Sequence, residues 1–349
     1  MSGLSSTTRP LRLAVVGAGW AGHRQAQAAA ELDSAIEVTC LVDNDADQAR
    51  IVAAELGIGR TTTDLNAVLA DPDIDAVSIC TPHRLHGPMT IAAARAGKHV
   101  LVEKPMACTV AEASAMIDAA DEARVRLVVA ENQVYEPSTR GLAELVRSGG
   151  GIGRLAFAAV VDGYRAPDPS YEGRRAWLTQ PDAGGTGTWM LQGIHTVARM
   201  RYVLGEVASV YVREHRTPSF RRPDLEATMS GLLVLDNGLT VWLVQTPEVA
   251  LPARQAVQLY GDEGVVFSDA NGYEQRAGAG AASQRFEYPA QELSSYALEL
   301  QAFADEIATG RPAPTAARSE RRSLAVIEAG VESARRGAPV SLAERYPGI

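Results

Sequence analysis

The feature that most constrains this chain is Val15-Val16-Gly17-Ala18-Gly19-Trp20-Ala21-Gly22, a complete G-x-G-x-x-G. Alone it would be a weak signal. Here the apolar run Leu11–Val16 leads into it and the helix-forming AGHRQAQAAAEL follows. Asp43 stands 21 residues after Gly22, at the end of the next apolar run, Glu37–Val42. These are the surroundings a dinucleotide-binding turn requires. Gly17 permits the tight turn, Gly19 lets a pyrophosphate approach the backbone, and Gly22 lets helix and strand pack closely. The helix N-terminus offers unpaired N–H groups to the phosphates, so Gly17, Ala18, Gly19, Trp20, Ala21 and Gly22 are expected to face the cofactor. Asp43 suits the adenine-ribose hydroxyls; the alternative is that it merely caps the next helix. Asp43 and Asp45 oppose a 2′-phosphate, and no arginine lies nearby in sequence to offset them. NAD is therefore expected over NADP.

The alternation continues to about residue 130. Asp75–Cys80, His99–Val102 and Arg126–Ala130 read as short buried strands, separated by Ala-rich helical segments. That pattern predicts a doubly wound parallel sheet, an α/β Rossmann domain over residues 10–131, with residues 1–9 as a flexible tail. Beyond Glu131 the texture changes. Stretches such as RLAFAAVVDGY, ASVYVREHR and LLVLDNGLTVWLV alternate with period two, and the D-N-G between two apolar runs signals a hairpin. Residues 132–349 are expected to form an α+β domain with a mostly antiparallel open sheet, closed by two helices ending at Gly310 and Gly337.

Composition narrows the class. The net charge of −9 argues against a nucleic-acid or anionic-membrane partner. No apolar run reaches the ~18 residues of a membrane span, and MSGLSSTTRP has no signal-peptide core, so a cytoplasmic address is expected. The three cysteines share no ligand spacing and the histidines no paired spacing, so no metal is expected. Of 33 basic residues 31 are Arg, and the two lysines are Lys98 and Lys104. Arginine does not give up a proton near neutral pH, whereas a desolvated lysine can, so at least one of these lysines is expected to be chemical.

Those lysines lie in a recognisable context. Cys80-Thr81-Pro82-His83-Arg84-Leu85-His86 and Ala96-Gly97-Lys98-His99-Val100-Leu101-Val102-Glu103-Lys104-Pro105 resemble the core of the glucose–fructose oxidoreductase / inositol dehydrogenase / MocA family, with its "TP…H", "AGKHV" and "EKP" motifs. Gly184-Gly185, Gly193-Ile194-His195 and Tyr202-Val203-Leu204-Gly205 resemble its "GG…GxH…LLG" segment. Ser294–Gly310 and Ala325–Ser333 are similar to its closing helices. The resemblance implies hydride exchange between a nicotinamide and a secondary alcohol/carbonyl of a sugar, cyclitol or related polyol. It implies Lys104 as proton donor/acceptor and substrate contact, assisted by His195, which also contacts the substrate. Thr81, Pro82, His83 and His86 are expected along the nicotinamide half of the cofactor, with Glu103 and Lys104 as further cofactor contacts. Glu103 either orients Lys104 or packs as a strand-end carboxylate. A cis Lys104–Pro105 bond fits the motif, and Lys98 reads as structural. The family usually covers its open sheet with another copy, so a homodimer or homotetramer is expected.

The chain departs from the family at one point. Many members carry an Asp four residues before the histidine; here that position is Leu191, with Gln192 beside it. The relay is then Lys104 and His195, with Gln192 bonding the substrate, or the polyol chemistry is altered. The loop Asp162–Trp177 offers Tyr164, Arg165, Arg174, Arg175 and Trp177; Tyr164, Arg165, Arg175 and Trp177 are candidate substrate contacts. Leu191 keeps two alternatives open: a dehydrogenase/reductase of a non-sugar cyclic diol or ketone, and a non-catalytic dinucleotide-binding regulatory protein.

Overall fold

The computed structural model describes residues 9–32, 35–163, 172–184, 186–218, 220, 222, 224–249, 254–278 and 280–349. Tyr164 and Arg165 lie outside these residues.

Six short strands, β1 (Leu11–Val16), β2 (Ile36–Val42), β3 (Thr61–Thr62), β4 (Ala76–Ile79), β5 (His99–Glu103) and β6 (Leu127–Ala130), form one sheet in the order β3-β2-β1-β4-β5-β6. Every pair is parallel. The order reverses between β1 and β4, the switch point at which such sheets bind ligands. The strands are apolar on both faces because helices cover both; β4 and β6 are buried throughout. Helix ends follow local chemistry. Asp45 caps the helix Ala46–Leu56 by accepting from the N–H groups of Asp47 and Gln48, and Thr109 caps Val110–Ala123. Lys98 donates to the carbonyls of Asp71 and Ile74 at 2.6 and 2.8 Å, the structural role read from the sequence. Arg9, placed in the tail by the sequence, is instead tied to Asp75 at 2.8 Å.

The second sheet has nine strands. β7 (Leu155–Gly163), β8 (Val207–His215), β9 (Thr228–Leu235), β10 (Thr240–Thr246), β11 (Arg254–Gly261), β12 (Gly264–Ser268), β13 (Gly272–Ala277), β14 (Gln284–Glu287) and β15 (Val340–Ser341) pair in the order β14-β13-β12-β11-β7-β10-β9-β8-β15. All pairs are antiparallel except β7 with β10. The D-N-G turn is present between β9 and β10, with Gly238 at φ +83°. One face packs Val210, Val212, Leu233 and Val241 against Leu324, Val326 and Ile327 of the helix Ala317–Arg336. The helix Gly193–Leu204 is buried along most of its length in the same core. The opposite face leaves apolar side chains in solvent: Trp242 is 58% exposed, Phe267 42%, Val161 41% and Val234 38%.

The first sheet is covered in part by an element that lies far from it in sequence. The helix Ser295–Thr309 inserts Ala297, Leu300 and Phe303 into the apolar cluster of Leu13, Val15, Ala26 and Leu101. The backbone is stitched there too, Val129 N–H donating to the Thr315 carbonyl at 3.0 Å. Cover for the parallel sheet thus comes partly from the C-terminal part of the chain. Phe303→Ala is expected to cost about 3–5 kcal/mol by cavity formation. Calorimetry should show the whole chain melting earlier in one transition, not the C-terminal half alone.

Candidate active site

The turn after β1 shows why each glycine is there. Gly17 sits at φ +105°, and a Cβ on it would lie 2.5 Å from the Cys80 carbonyl oxygen; one on Gly22 would lie 1.8 Å from the Gly17 carbonyl oxygen. Both are therefore fixed by packing. Gly19 differs: a Cβ there meets nothing within 4 Å. It is the N-cap of the helix Trp20–Ala29 and offers no side-chain cap, so the first-turn N–H groups are left for a bound anion to meet. The residues present thus fit a dinucleotide. Ala18 is buried, whereas Trp20 is 58% exposed and edge-on to Tyr296.

Asp43 follows β2 and is almost fully buried. Its Oδ2 accepts from the Ala18 N–H at 2.7 Å and its Oδ1 from the Asp45 N–H at 2.9 Å. Capping of the next helix falls to Asp45, so Asp43 is held for the turn. The expectation that no arginine offsets these acids fails in three dimensions. Arg174, 131 residues away in sequence, places NH2 at 2.8 and 2.7 Å from the two Asp43 oxygens and NH1 at 3.1 Å from Asp45. Burial pushes the Asp43 carboxyl up, but Arg174 and the two N–H groups outweigh it and hold it below its ordinary value.

The turn after β4 carries Thr81, Pro82, His83 and His86. Thr81 and Pro82 are partly exposed at the sheet's edge. His83 is buried, with Nδ1 2.9 Å from the Gly184 carbonyl and its ring edge-on to Trp177 at 4.6 Å. His86 requires a correction. Its ring is fully buried and both nitrogens are occupied, Nδ1 by the Pro105 carbonyl at 2.9 Å and Nε2 by the Thr81 carbonyl at 2.8 Å. It shapes the turn that a cofactor would meet and does not itself reach out to one. His83 likewise spends its ring on the segment 173–184, tying that segment to the first sheet.

β5 ends in Glu103-Lys104-Pro105, and the Lys104–Pro105 bond is cis. Glu103 accepts from Gln25 at 3.2 Å, and the same Gln25 amide donates to Glu299 at 2.7 Å. Burial pushes Glu103 up to about 7. Its carboxylate thus belongs to a buried polar cluster under the site, rather than to the cofactor surface. Lys104 is half-buried and donates to the Leu191 carbonyl at 2.9 Å. Burial lowers its pKa, Glu131 and Glu103 oppose that, and Arg175 adds to it. Arg175 is exposed, its backbone N–H donates to the Glu172 carbonyl at 3.1 Å, and its guanidinium makes no hydrogen bond or ion pair among the described residues.

His195, on the helix Gly193–Leu204, is buried and its pKa lies below the ordinary value, chiefly by burial. Its Nδ1 is 2.5 Å from Oε1 of Glu131, the residue immediately after β6. Glu131 is the residue that sequence reasoning missed, although its place after a strand of the parallel sheet was a usable signal. The next residue, Thr196, donates to Asp162 at 2.8 Å. Gln192, at the start of the helix, is partly exposed, and its amide makes no hydrogen bond among the described residues. Lys104, His195, Gln192, Arg175 and Trp177 therefore gather near the C-terminal edge of the parallel sheet, beside the glycine turn. Among the described residues no cluster of His, Cys, Asp or Glu could hold a metal ion, and no helix is long and apolar enough to cross a membrane.

A parallel sheet with a phosphate-ready turn, an acid after β2 and a lysine–histidine pair at the same edge defines a nicotinamide-dependent oxidoreductase. Residues 11–131 match the oxidoreductase family with an NAD-binding Rossmann fold, and residues 144–342 match its C-terminal alpha/beta domain. The chain belongs to the glucose–fructose oxidoreductase / inositol dehydrogenase / MocA family. It is 31% identical over 320 residues to D-xylose 1-dehydrogenase (NADP(+)) 2 of Haloferax volcanii, covering 88% of this chain and 92% of that protein. It is 32% identical over 203 residues to 1,5-anhydro-D-fructose reductase of Ensifer adhaerens, covering 58% of this chain and 60% of that one. The aldose-aldose oxidoreductase from Caulobacter crescentus, solved with glycerol, superposes with a TM-score of 0.85 at 28% identity, over 95% of this chain and 100% of that one.

Arg174 gives a direct test of the adenosine end. In Arg174→Ala the Asp43 oxygens are freed and one neutralising charge is lost. NADH is expected to bind about fivefold tighter and NADPH about fivefold weaker, the scale of one half-exposed ion pair. Fluorescence titration with each cofactor reads the ratio.

Proposed function

We propose that this protein is an NAD-dependent oxidoreductase acting on a secondary alcohol/carbonyl of a sugar, cyclitol or related polyol, with Lys104 as proton donor/acceptor assisted by His195. The observation that carries this reading is the meeting of Lys104 and His195, from separate parts of the chain, at the edge where the glycine turn opens. When bound, the nicotinamide supplies or accepts the hydride. The chain must then move one proton at the carbinol oxygen. Burial favours the neutral amine of Lys104, which can take that proton, and the ammonium returns it in the reverse direction. Gln192, Arg175 and Trp177, with Tyr164 and Arg165, would hold the remaining hydroxyls. NAD is preferred because Asp43 and Asp45 present two carboxylates against the single Arg174.

Relatives named for D-xylose, 1,5-anhydro-D-fructose, levoglucosan and myo-inositol define the first substrate panel. Turnover of NAD with at least one such polyol is expected by nicotinamide absorbance. Lys104→Arg keeps the charge and removes the titratable amine; it should lower kcat by about 100-fold or more. Cofactor affinity should stay within about threefold, since no binding contact is removed. Oxidation should rise with pH as the amine loses its proton, levelling below the ordinary lysine value of about 10.4. Turnover indifferent to Lys104→Arg would overturn the assignment. Leu191 supports a second reading, a cyclic diol or ketone that is not a sugar, which the same assay with cyclohexanediols separates.

The exposed apolar face of the second sheet supports assembly with another copy of the chain. Trp242, Phe267, Val161 and Val234 lie on strands that continue side by side, more apolar surface than a lone sheet face normally leaves in water. Trp242→Glu is expected to convert the wild-type oligomer to a smaller species, seen by light scattering after size exclusion. A wild-type monomer would sink this reading.

A further inference from the structure

We propose that Glu131 is the carboxylate of the proton-handling site, a positioning residue that holds His195 with its proton on Nδ1 and leaves Nε2 bare for the substrate hydroxyl. The inference rests on the reading of Lys104 and His195 given above. Four observations carry it. Glu131 is fully buried, and its Oε1 lies 2.5 Å from His195 Nδ1, so the ring must donate from that nitrogen. The same oxygen accepts from the Gln133 N–H at 3.2 Å, which fixes the carboxylate at the end of β6. Its other oxygen, Oε2, has no hydrogen-bond partner among the described residues although it is sealed from solvent. Buried carboxylate oxygens are seldom left this way outside functional sites. Finally, position 191 supplies a backbone carbonyl to Lys104, not an acid.

These observations fit together as one arrangement. A lysine–histidine pair that handles a proton needs a nearby negative charge, or burial drives both groups neutral together. The helix that carries His195 does not provide it, because Leu191 and Gln192 are uncharged. The strand end provides it instead. Glu131 is the favouring charge on Lys104 and on His195 alike. His195 Nε2 has no partner among the described residues and is not sealed off, so it is free to accept. A neutral histidine in the other tautomer would present an N–H there and could not take a proton.

The test must separate positioning from folding. His195 is faced by Glu131 from β6, Lys104 from β5 and Asp162 from β7; Lys104 is faced by Glu131, Glu103 and Arg175. Glu131→Gln removes one negative charge from both. With the best substrate of the panel above, kcat should fall about 100-fold. The acid limb of the pH profile should move down by about one pH unit, because the protonated forms lose their stabilising neighbour. Glu131→Asp should restore the limb and part of kcat, while NADH affinity stays within about threefold in both variants. A kcat within fivefold of wild type and an unmoved limb would overturn the proposal. The wild-type protein supplies an independent arm that needs no substrate and no turnover. The ¹⁵N spectra of labelled histidine with NAD bound should show His195, assigned by its loss in His195→Asn, protonated on Nδ1 and bare on Nε2. The reverse tautomer overturns the proposal. If Lys104→Arg retains full turnover, the catalytic reading fails; if only Glu131→Gln does, that reading stands and this inference falls.

Discussion

Because all six strands of the first sheet run parallel, every residue that follows a strand end arrives at one edge of the molecule. Gly17 follows β1, Asp43 follows β2, Thr81 lies just past β4, Lys104 follows β5 and Glu131 follows β6. A parallel sheet requires a crossover for each pair, and the crossovers here are the helices that bury its two faces. The site is thus a consequence of strand direction before it is a matter of side-chain chemistry. Antiparallel pairing of β5 or β6 would send Lys104 or Glu131 to the opposite edge. The second half of the chain then adds what one edge cannot hold, a histidine on a buried helix and a segment laid over the adenosine end.

That division explains what could be read from the sequence. The glycine turn, Asp43, Lys104 and the strand alternation are local signals, because each is dictated by neighbours within one β-α unit. The family resemblance reached His195 through Gly193-Ile194-His195. Glu131 was equally local, since RLVVA was read as a strand, yet a lone glutamate after a strand has no motif to mark it. Arg174 was not legible. Its partners Asp43 and Asp45 are brought to it by the packing of the two halves, which no spacing encodes. His86 was read as a cofactor contact because the turn motif contains it; only the fold shows its two nitrogens facing the carbonyls of Thr81 and Pro105. The place of Phe303 under the first sheet was hidden for the same reason as Arg174.

The polar groups beneath the site have a common logic. Gln25, Glu103 and Glu299 form a buried set in which one amide serves two carboxylates. Burial raises both acids, the neighbouring charge of Glu131 raises both further, and Glu103 also raises Glu299. Glu131 is the negative centre that most favours the charged forms of His195 and Lys104. Lys104 sits between that centre and Arg175, one favouring its ammonium and the other its neutral amine. Burial shifts this lysine toward its neutral form, whereas the solvated arginines elsewhere in the chain stay charged.

The adenosine end follows from the same accounting of acceptors. A carboxylate has about four lone-pair positions. On Asp43, the Ala18 and Asp45 N–H groups take one on each oxygen, and Arg174 approaches both oxygens as well. Any further hydrogen-bond donor to Asp43 would therefore have to displace Arg174. Arg174 lies in the segment Gly173–Thr179, whose Trp177 packs on His83, and His83 in turn bonds Gly184. The segment that bonds Asp43 through Arg174 is thus the one whose Arg175 charge acts on Lys104.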